Sequence, residues 1–212
     1  MKEVLSLLNY AEQPITTSLL LNIFKDFSSP YDKIDSLVKK KYLIQIKRGL
    51  YILGDILNTN KPETFTISNH LYGPSYISLE SALFFWGLTP EKVYSCTAMT
   101  TKRTTNFQTP VGSFHYYHLP TPYYSLGITT ISIKKNQNIL IASPEKSLID
   151  KIIHTSNLNL RSQKQTIDYL IDDLRIEIES LKNLDAQKIV EWLPFCPKKT
   201  SIMHIYQTLK SL

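Results

Sequence analysis

Residues 29–53 constrain the fold of this chain more than any other stretch, because the spacing of their apolar side chains changes partway along. Ser29 and Pro30 suit the cap and the first position of a helix. The apolar residues that then recur at helical spacing are Tyr31, Ile34, Leu37 and Val38. From Tyr42 onward apolar and polar residues alternate, and Gly49 supplies the positive φ of a tight turn. The sequence therefore predicts a helix that leads directly into a β-hairpin.

Two further helices are predicted before this stretch. Residues 2–11 form the first, which Pro14 ends, and Thr16 caps the second. Three short helices followed by a hairpin are typical of a winged helix-turn-helix, a module that binds DNA. We therefore place a winged helix-turn-helix domain at residues 1–54.

Basic residues are concentrated where such a module meets DNA. Residues 39–48 contain five Lys or Arg and no acid. In this class of module the N-terminal end of the third helix enters the major groove, while the hairpin touches the DNA backbone or the minor groove. The predicted DNA-binding residues are Ser29, Tyr31, Lys33, Ser36, Lys39, Lys40, Lys41, Lys47 and Arg48.

Parts of this set have a second interpretation. The lysines at 39–41 also suit a solvated helix end, where they meet the negative end of the helix dipole. Tyr31 fits the core as well as it fits a DNA groove. Asp32 and Asp35 lie on the same helix and would repel phosphate unless they turn sideways or towards a base amine.

The rest of the chain, residues 55–212, is predicted to be one mixed α+β domain. It follows a polar, turn-like segment at residues 58–62. A helix is expected at residues 64–71, and a long amphipathic helix at residues 161–182. The segments with strand character are 93–99, 113–119, 128–133 and 138–142. Helices are therefore expected to gather towards the C-terminus of an α+β fold.

The overall charge fits a polyanionic partner without requiring one. The chain carries a formal charge of +6, but many basic proteins bind no nucleic acid. Lys102 and Arg103 form a possible basic patch in the second domain. Cys96 and Cys196 lie far apart and form no disulfide framework, and no stretch has the length of a signal peptide or of a membrane span. The chain is therefore expected to be cytoplasmic, with no membrane partner.

Catalytic and metal-binding interpretations are weaker than DNA binding. His115 and His118 are three apart on a predicted strand and point to opposite faces, so they do not readily hold one metal ion. Glu145, Lys146 and Asp150 leave open a metal-dependent nuclease, although a capped helix beginning at Ser143 and Pro144 explains the same residues. A ligand-responsive transcription factor also stays open, with a pocket lined by Tyr116, Tyr117, Tyr123 and Tyr124. We expect no enzymatic activity, no metal and no cofactor.

Several blocks, in this order, resemble the AbiEi antitoxin family. Residues 47–51 resemble the end of its DNA-binding domain. The first block of the second domain comprises residues 76–83, Gly87, Leu88, Pro90, Glu91, Val93, Tyr94 and Thr97. The second comprises Phe107, Thr109, Pro110, Gly112, Phe114, Tyr116, His118 and Leu119. The third comprises Ala142, Pro144, Glu145, Lys146, Leu148 and Asp150. The resemblance covers roughly residues 1–155.

This resemblance implies an antitoxin of a type IV toxin–antitoxin, or abortive-infection, system. The winged helix would repress its own operon by binding double-stranded DNA at promoter repeats. The second domain would counter a nucleotidyltransferase-like toxin without forming a stable complex with it. The chain departs from the family pattern at Lys102 and Arg103, where a denser basic run is expected.

Overall fold

The structure, a computed structural model, describes residues 2–212, with side chains described from Leu5 onward. Its helices are α1 Lys2–Leu8, α2 Thr17–Ile23, α3 Pro30–Lys39, α4 Thr64–Leu71, α5 Leu79–Phe85, α6 Pro144–His154, α7 Gln163–Asp168, α8 Ile178–Lys182, α9 Ala186–Trp192 and α10 Lys199–Ser211. Its strands are β1 Ile15–Thr16, β2 Leu43–Lys47, β3 Leu50–Leu53, β4 Ser75–Ile77, β5 Cys96–Thr100, β6 Thr105–Thr109, β7 Gly112–His118, β8 Ile128–Lys134 and β9 Gln137–Ala142. The expected α+β class is confirmed.

The first six elements, α1 to β3, form what we call the N-terminal unit, residues 2–54. Its strands make a small antiparallel sheet in the order β1-β3-β2. The Thr16 hydroxyl caps α2 as the sequence predicted, because it accepts a hydrogen bond from the Leu19 amide at 3.3 Å. The core of the unit consists of Leu7, Ile15, Leu20, Phe24, Ile34, Leu37, Leu43, Tyr51 and Leu53.

Strand β3 of the hairpin is buried on both of its faces, since successive strand residues point to opposite sides. Tyr51 and Leu53 pack into the core of the N-terminal unit. We call residues 55–212 the C-terminal unit. Ile46, Leu50 and Ile52 pack into the larger core, to which that unit contributes all the other buried residues. The hairpin therefore joins the two units and is not a free wing in solvent.

The sheet of the C-terminal unit has six strands in the order β6-β7-β5-β4-β9-β8. It is mixed, with parallel pairing of β5 with β7 and of β4 with β9. Tyr76 pairs with Met99 and Tyr116 with Ala98, and these two neighbours on β5 point to opposite faces. The Tyr76 hydroxyl reaches α6 and the Tyr116 hydroxyl reaches α4. Helices α4 and α6 therefore cover opposite faces of the sheet.

The helix predicted over residues 161–182 is wrong as one continuous element. Helix α7 passes into a short π-helical segment, Tyr169–Asp173, and the chain turns at Arg175 with φ +53°. The Ile176 amide then donates to the Leu170 carbonyl at 3.0 Å, which satisfies a carbonyl that the helix end would otherwise leave without a partner. No local signal in the sequence marks this helix end, because the left-handed residue is Arg175 and not the usual glycine.

Other differences are smaller. The first helix ends at Leu8 rather than at residue 11. Strands β1 and β6 were not predicted, since both are short and rich in threonine and polar residues. The helix at residues 64–71 is confirmed. Within residues 2–212, the structure has no helix that is both long and apolar enough to cross a membrane.

Candidate nucleic-acid interface

A groove of about 430 Å³ lies between helix α3 and the β2–β3 turn. Tyr31 and Asp35 line it from the helix, and Gln45 and Arg48 line it from the hairpin. Thr17 lines the groove from the start of α2. The groove thus brings together the beginning of the third helix and the tip of the hairpin, two segments that are more than ten residues apart in sequence.

Two predicted DNA-binding residues, Tyr31 and Arg48, flank this groove. Tyr31 is 64% exposed, which decides against the alternative that it belongs to the core. Arg48 is exposed at the turn, where Gly49 takes φ +86°. The Thr17 amide donates to the Gly49 carbonyl at 3.1 Å, so the start of α2 holds the turn beside the helix.

The groove also contains residues that were not predicted as contacts. Asp35 lines the groove together with Arg48. Gln45 had a signal in the sequence, since it alternates with the apolar Ile44 and Ile46 and therefore had to lie on the other face. The sequence contains no comparable signal for Thr17, because the short strand β1 that positions it was not predicted.

Three predicted residues, one at the cap position of α3 and two on the helix itself, lie outside the groove lining. Ser29 occupies the cap position, but no side-chain capping bond from it is present among the described residues. The Lys33 ammonium lies 4.8 Å from the centroid of the Phe27 ring. Ser36 is half-buried and its carbonyl accepts from the Lys40 amide at 3.0 Å. These contacts stabilise the helix and its surroundings.

The lysines at 39–41 form an exposed cluster at the C-terminal end of α3, opposite the end that carries Tyr31. Lys41 leaves the helix in the left-handed conformation, with φ +60°. Gly54 packs directly on this exit, since its amide donates to the Tyr42 carbonyl at 2.9 Å. The cluster is accessible to phosphate and also suits the negative end of the helix dipole, as the sequence suggested.

Lys47 lies on a different side of the hairpin from the one expected of a DNA-contacting residue. A bulge between Gln45 and Lys47 pairs Gln45 with Tyr51 but Lys47 with Leu50, so Lys47 turns to the Leu50 face. There its ammonium donates to the Leu71 carbonyl at the end of α4. Burial, and secondly the charge of Lys102, lower the pKa of Lys47. Lys47 therefore ties the hairpin to the C-terminal unit, and we leave it out of the proposed DNA contacts.

The second basic pair lies next to this contact. The Lys102 ammonium is 5.2 Å from the centroid of the Tyr72 ring, and the Tyr72 hydroxyl donates to the Arg103 carbonyl at 3.3 Å. Tyr72 packs against Phe107 with ring centroids 5.5 Å apart, and the Lys47 ammonium lies 5.9 Å from the Phe107 centroid. The two basic segments that the sequence treated separately thus flank one aromatic pair, and Lys102 and Arg103 are exposed.

Residues from the first and third family-like blocks meet around the buried carboxylate of Asp150. The hydroxyls of Tyr76 and Ser78 donate to its Oδ2 at 2.8 and 2.6 Å. The Tyr123 hydroxyl donates to its Oδ1 at 3.0 Å, and the Lys146 ammonium lies 3.2 Å from the same oxygen. Neither Lys146 nor Asp150 has an exposed side chain. Much of the resemblance therefore consists of residues that hold the interior together.

This placement also bears on the nuclease alternative. Glu145 is buried and accepts hydrogen bonds from the Ser143 hydroxyl at 2.7 Å and from the Asp185 amide at 3.2 Å. Ser143 caps α6 as predicted, with the Lys146 amide donating to its hydroxyl. The Glu145, Lys146 and Asp150 side chains are thus engaged by protein groups and withdrawn from the surface.

The remaining candidate ligands are separate from one another. His115 Nδ1 is 2.9 Å from Asn106 Oδ1, whereas His118 donates to the Lys102 carbonyl at 3.1 Å. Within residues 2–212 there is no group of three or more His, Cys, Asp or Glu side chains arranged to hold a metal ion. Cys96 and Cys196 are both free and buried, and burial raises the pKa of each thiol to about 12.

Comparison with known proteins gives a likeness of fold. No family model and no curated protein matches the chain. The crystal structure of the Rv2827c protein from Mycobacterium tuberculosis resembles it with a TM-score of 0.59 and 10% sequence identity, over 97% of this chain and 75% of that chain. At this identity the likeness concerns the fold.

Proposed function

We propose that this chain is a DNA-binding regulator whose N-terminal unit is a winged helix-turn-helix. The observation that carries the proposal is the groove between α3 and the hairpin turn, with Tyr31 and Arg48 on its two sides. A recognition helix and a wing act together only when both face the same stretch of duplex. The proposal is supported by the groove, because residues of both the helix and the hairpin line it.

The order of elements supports the same proposal. Helices α2 and α3 follow β1, and the hairpin returns so that β3 lies between β1 and β2. In a winged helix this arrangement supports the third helix from behind and leaves its outer face open. Tyr31, Asp32 and Asp35 are the exposed residues in the first half of that face, and Lys39 and Lys40 follow them.

The groove chemistry divides the DNA contacts into two kinds. Arg48 is suited to phosphate or to the minor groove, and the lysines at 39–41 are suited to phosphate, which gives affinity without sequence information. Tyr31 and Asp35 are suited to base edges, and a carboxylate accepts from the amine of cytosine. We infer that Asp35 contributes sequence selectivity, while Arg48 contributes affinity.

We further propose that the protein is an autorepressor and an antitoxin. This part rests on the resemblance to the AbiEi family, and its functional partner would be a nucleotidyltransferase-like toxin that it counters without a stable complex. The C-terminal unit would carry the antitoxin activity.

DNA binding is tested by fluorescence anisotropy with duplex DNA from upstream of the gene. We expect specific binding that Arg48→Ala weakens, and a log–log salt slope that falls by about 0.9 when one phosphate contact is removed. Arg161→Ala is the matched control, since Arg161 is exposed outside the N-terminal unit. Equal affinity for upstream and unrelated DNA in the wild type would contradict a specific regulator.

The antitoxin part is tested by co-expression with the adjacent gene. Growth should be rescued by the full chain and by the Arg48→Ala variant, while repression of a promoter fusion is lost only in the variant. Failure of both to rescue growth would refute the antitoxin role and leave DNA binding intact.

A further inference from the structure

A second cleft, of about 570 Å³, opens on the C-terminal unit between the start of α4, helix α5 and the 92–95 loop. Its volume lies within the range of small-molecule sites. Its walls are aromatic: Phe65 and Phe85 meet edge to face with ring centroids 6.1 Å apart. Phe84 and Tyr94 stand at its mouth, 41% and 94% exposed. Two large rings held in solvent beside an aromatic cleft provide apolar surface that a ligand would cover.

The polar groups at the floor of the cleft determine which end of a ligand can point inward. The Ser81 hydroxyl accepts from the Thr97 amide at 2.9 Å and donates to the Ser95 carbonyl at 3.4 Å. Cys96 also lines the cleft and is a buried thiol whose pKa burial raises to about 12. Because the Ser81 hydroxyl already has partners and the thiol bonds only weakly, an apolar or aromatic group is the best match for the inner end.

The charged side chains at the rim of the cleft determine which charge is favourable at the outer end of a ligand. Lys134 forms an ion pair with Glu63, so those two charges largely cancel. Lys92 is exposed and has no ion pair in the described part of the chain. Among the described lining residues Glu63 is the only acid, so the rim carries one excess positive charge.

We propose that this cleft binds a small aromatic anion, with its rings between Phe65, Phe84 and Phe85 and its charged group at Lys92. Tyr94 covers the outer ring face when the ligand is seated. This site is independent of the DNA groove, and it does not rest on the proposed function.

The test uses a pair of fluorescent probes that differ in one charge. 1-Anilinonaphthalene-8-sulfonate is an aromatic anion, and N-phenyl-1-naphthylamine is its neutral counterpart. We expect saturable 1:1 binding of the anion to the folded chain, with amide shifts in NMR spectra centred on residues 63–65, 84–85 and 92–96. The anion should bind about threefold to fivefold more tightly than the neutral probe, the range of one partly exposed ion pair.

Two substitutions separate the two halves of the site. Phe84→Ala should weaken binding of both probes, because it removes an aromatic ring from the mouth of the cleft, whereas Lys92→Ala should weaken binding of the anion only. Ile178→Ala and Lys164→Ala are the matched controls, since both side chains are exposed outside the cleft. Absence of saturable binding, shifts centred elsewhere, or equal losses in the controls would overturn the proposal. Exclusive binding of an apolar peptide at the same residues would also overturn it.

Discussion

Lys146 and Asp150, one turn apart on α6, form an ion pair that is fully buried, with Nζ 3.2 Å from Oδ1. The Lys146 ammonium also donates to the Tyr123 carbonyl at 3.0 Å and lies 3.2 Å from the centroid of the Tyr123 ring. Burial lowers the pKa of Lys146, and the Asp150 carboxylate opposes that shift. Each charge therefore depends on the other to remain in the interior.

Removing one charge of this buried ion pair should lower the free energy of unfolding strongly. Asp150→Asn leaves the Lys146 charge buried without compensation, and we expect a loss of about 3–5 kcal/mol in the free energy of unfolding. The double variant Lys146→Met with Asp150→Asn should lose less than the sum of the single variants, since no charge remains inside. Urea unfolding of all four proteins measures the coupling. Neutralising the exposed pair Lys182 and Glu179 is the control and should change stability little. Additive effects within the buried pair would contradict this prediction.

Stability should fall at alkaline pH because of buried tyrosines. Burial, and next the Asp150 charge, raise the pKa of Tyr76 and Tyr123 well above their usual value. Above pH 10 the unfolded chain releases these phenolic protons while the folded chain retains them, so unfolding becomes more favourable as pH rises. Each phenol contributes up to about 1.4 kcal/mol per pH unit in that range.

The measurement is a titration of tyrosinate absorbance with circular dichroism recorded in parallel. Of the 13 tyrosines, Tyr76 and Tyr123 should ionise only as the fold is lost. Tyr123→Phe should reduce the late phase. Ionisation of every tyrosine near pH 10 with the fold intact would refute the assignment.

Lys47 and Arg48 are neighbours in sequence, but we expect Lys47 to contribute to stability and Arg48 to DNA binding. Lys47→Met removes the bond to the Leu71 carbonyl, and we expect it to lose about 1–2 kcal/mol of stability and to bind DNA as well as the wild type. Arg48→Met should show the reverse, since Arg48 is exposed beside the groove. Thermal unfolding measures the stability of both variants, and fluorescence anisotropy on the same samples measures their DNA affinity. A loss of DNA affinity in Lys47→Met at unchanged stability would return Lys47 to the interface.

Gly54 should tolerate no side chain, because a Cβ there would lie 1.8 Å from the Lys41 carbonyl oxygen. Gly54→Ala must displace the exit of α3, and we expect a loss of about 3 kcal/mol or more. Gly87→Ala is the control: it has φ +69° but open space around it, so only the left-handed conformation costs, at about 1 kcal/mol. Denaturant unfolding compares the two, and equal losses would show that backbone conformation rather than crowding governs Gly54.

Local patterns predicted much of the fold and part of the candidate site. Helical spacing located α3 and α4, and the caps at Thr16 and Ser143 form the bonds expected of them. These features depend on interactions between residues a few positions apart, which a sequence displays directly. For the same reason Arg48 and Tyr31 were found as candidates, since the turn and the helix start that carry them are local.

Only the tertiary structure decided where Lys47 points and what the family-like blocks do. A one-residue bulge reverses the face of Lys47, and no spacing rule distinguishes a bulged strand from a regular one. Tyr76, Tyr123 and Asp150 are far apart in sequence, and they meet only because β4 and α6 pack together. Burial and long-range pairing are properties of the whole packed chain and cannot be seen in a local pattern. For this reason only the tertiary structure shows that residues whose side chains suggested catalysis, such as Lys146 and Asp150, form the polar interior of the C-terminal unit.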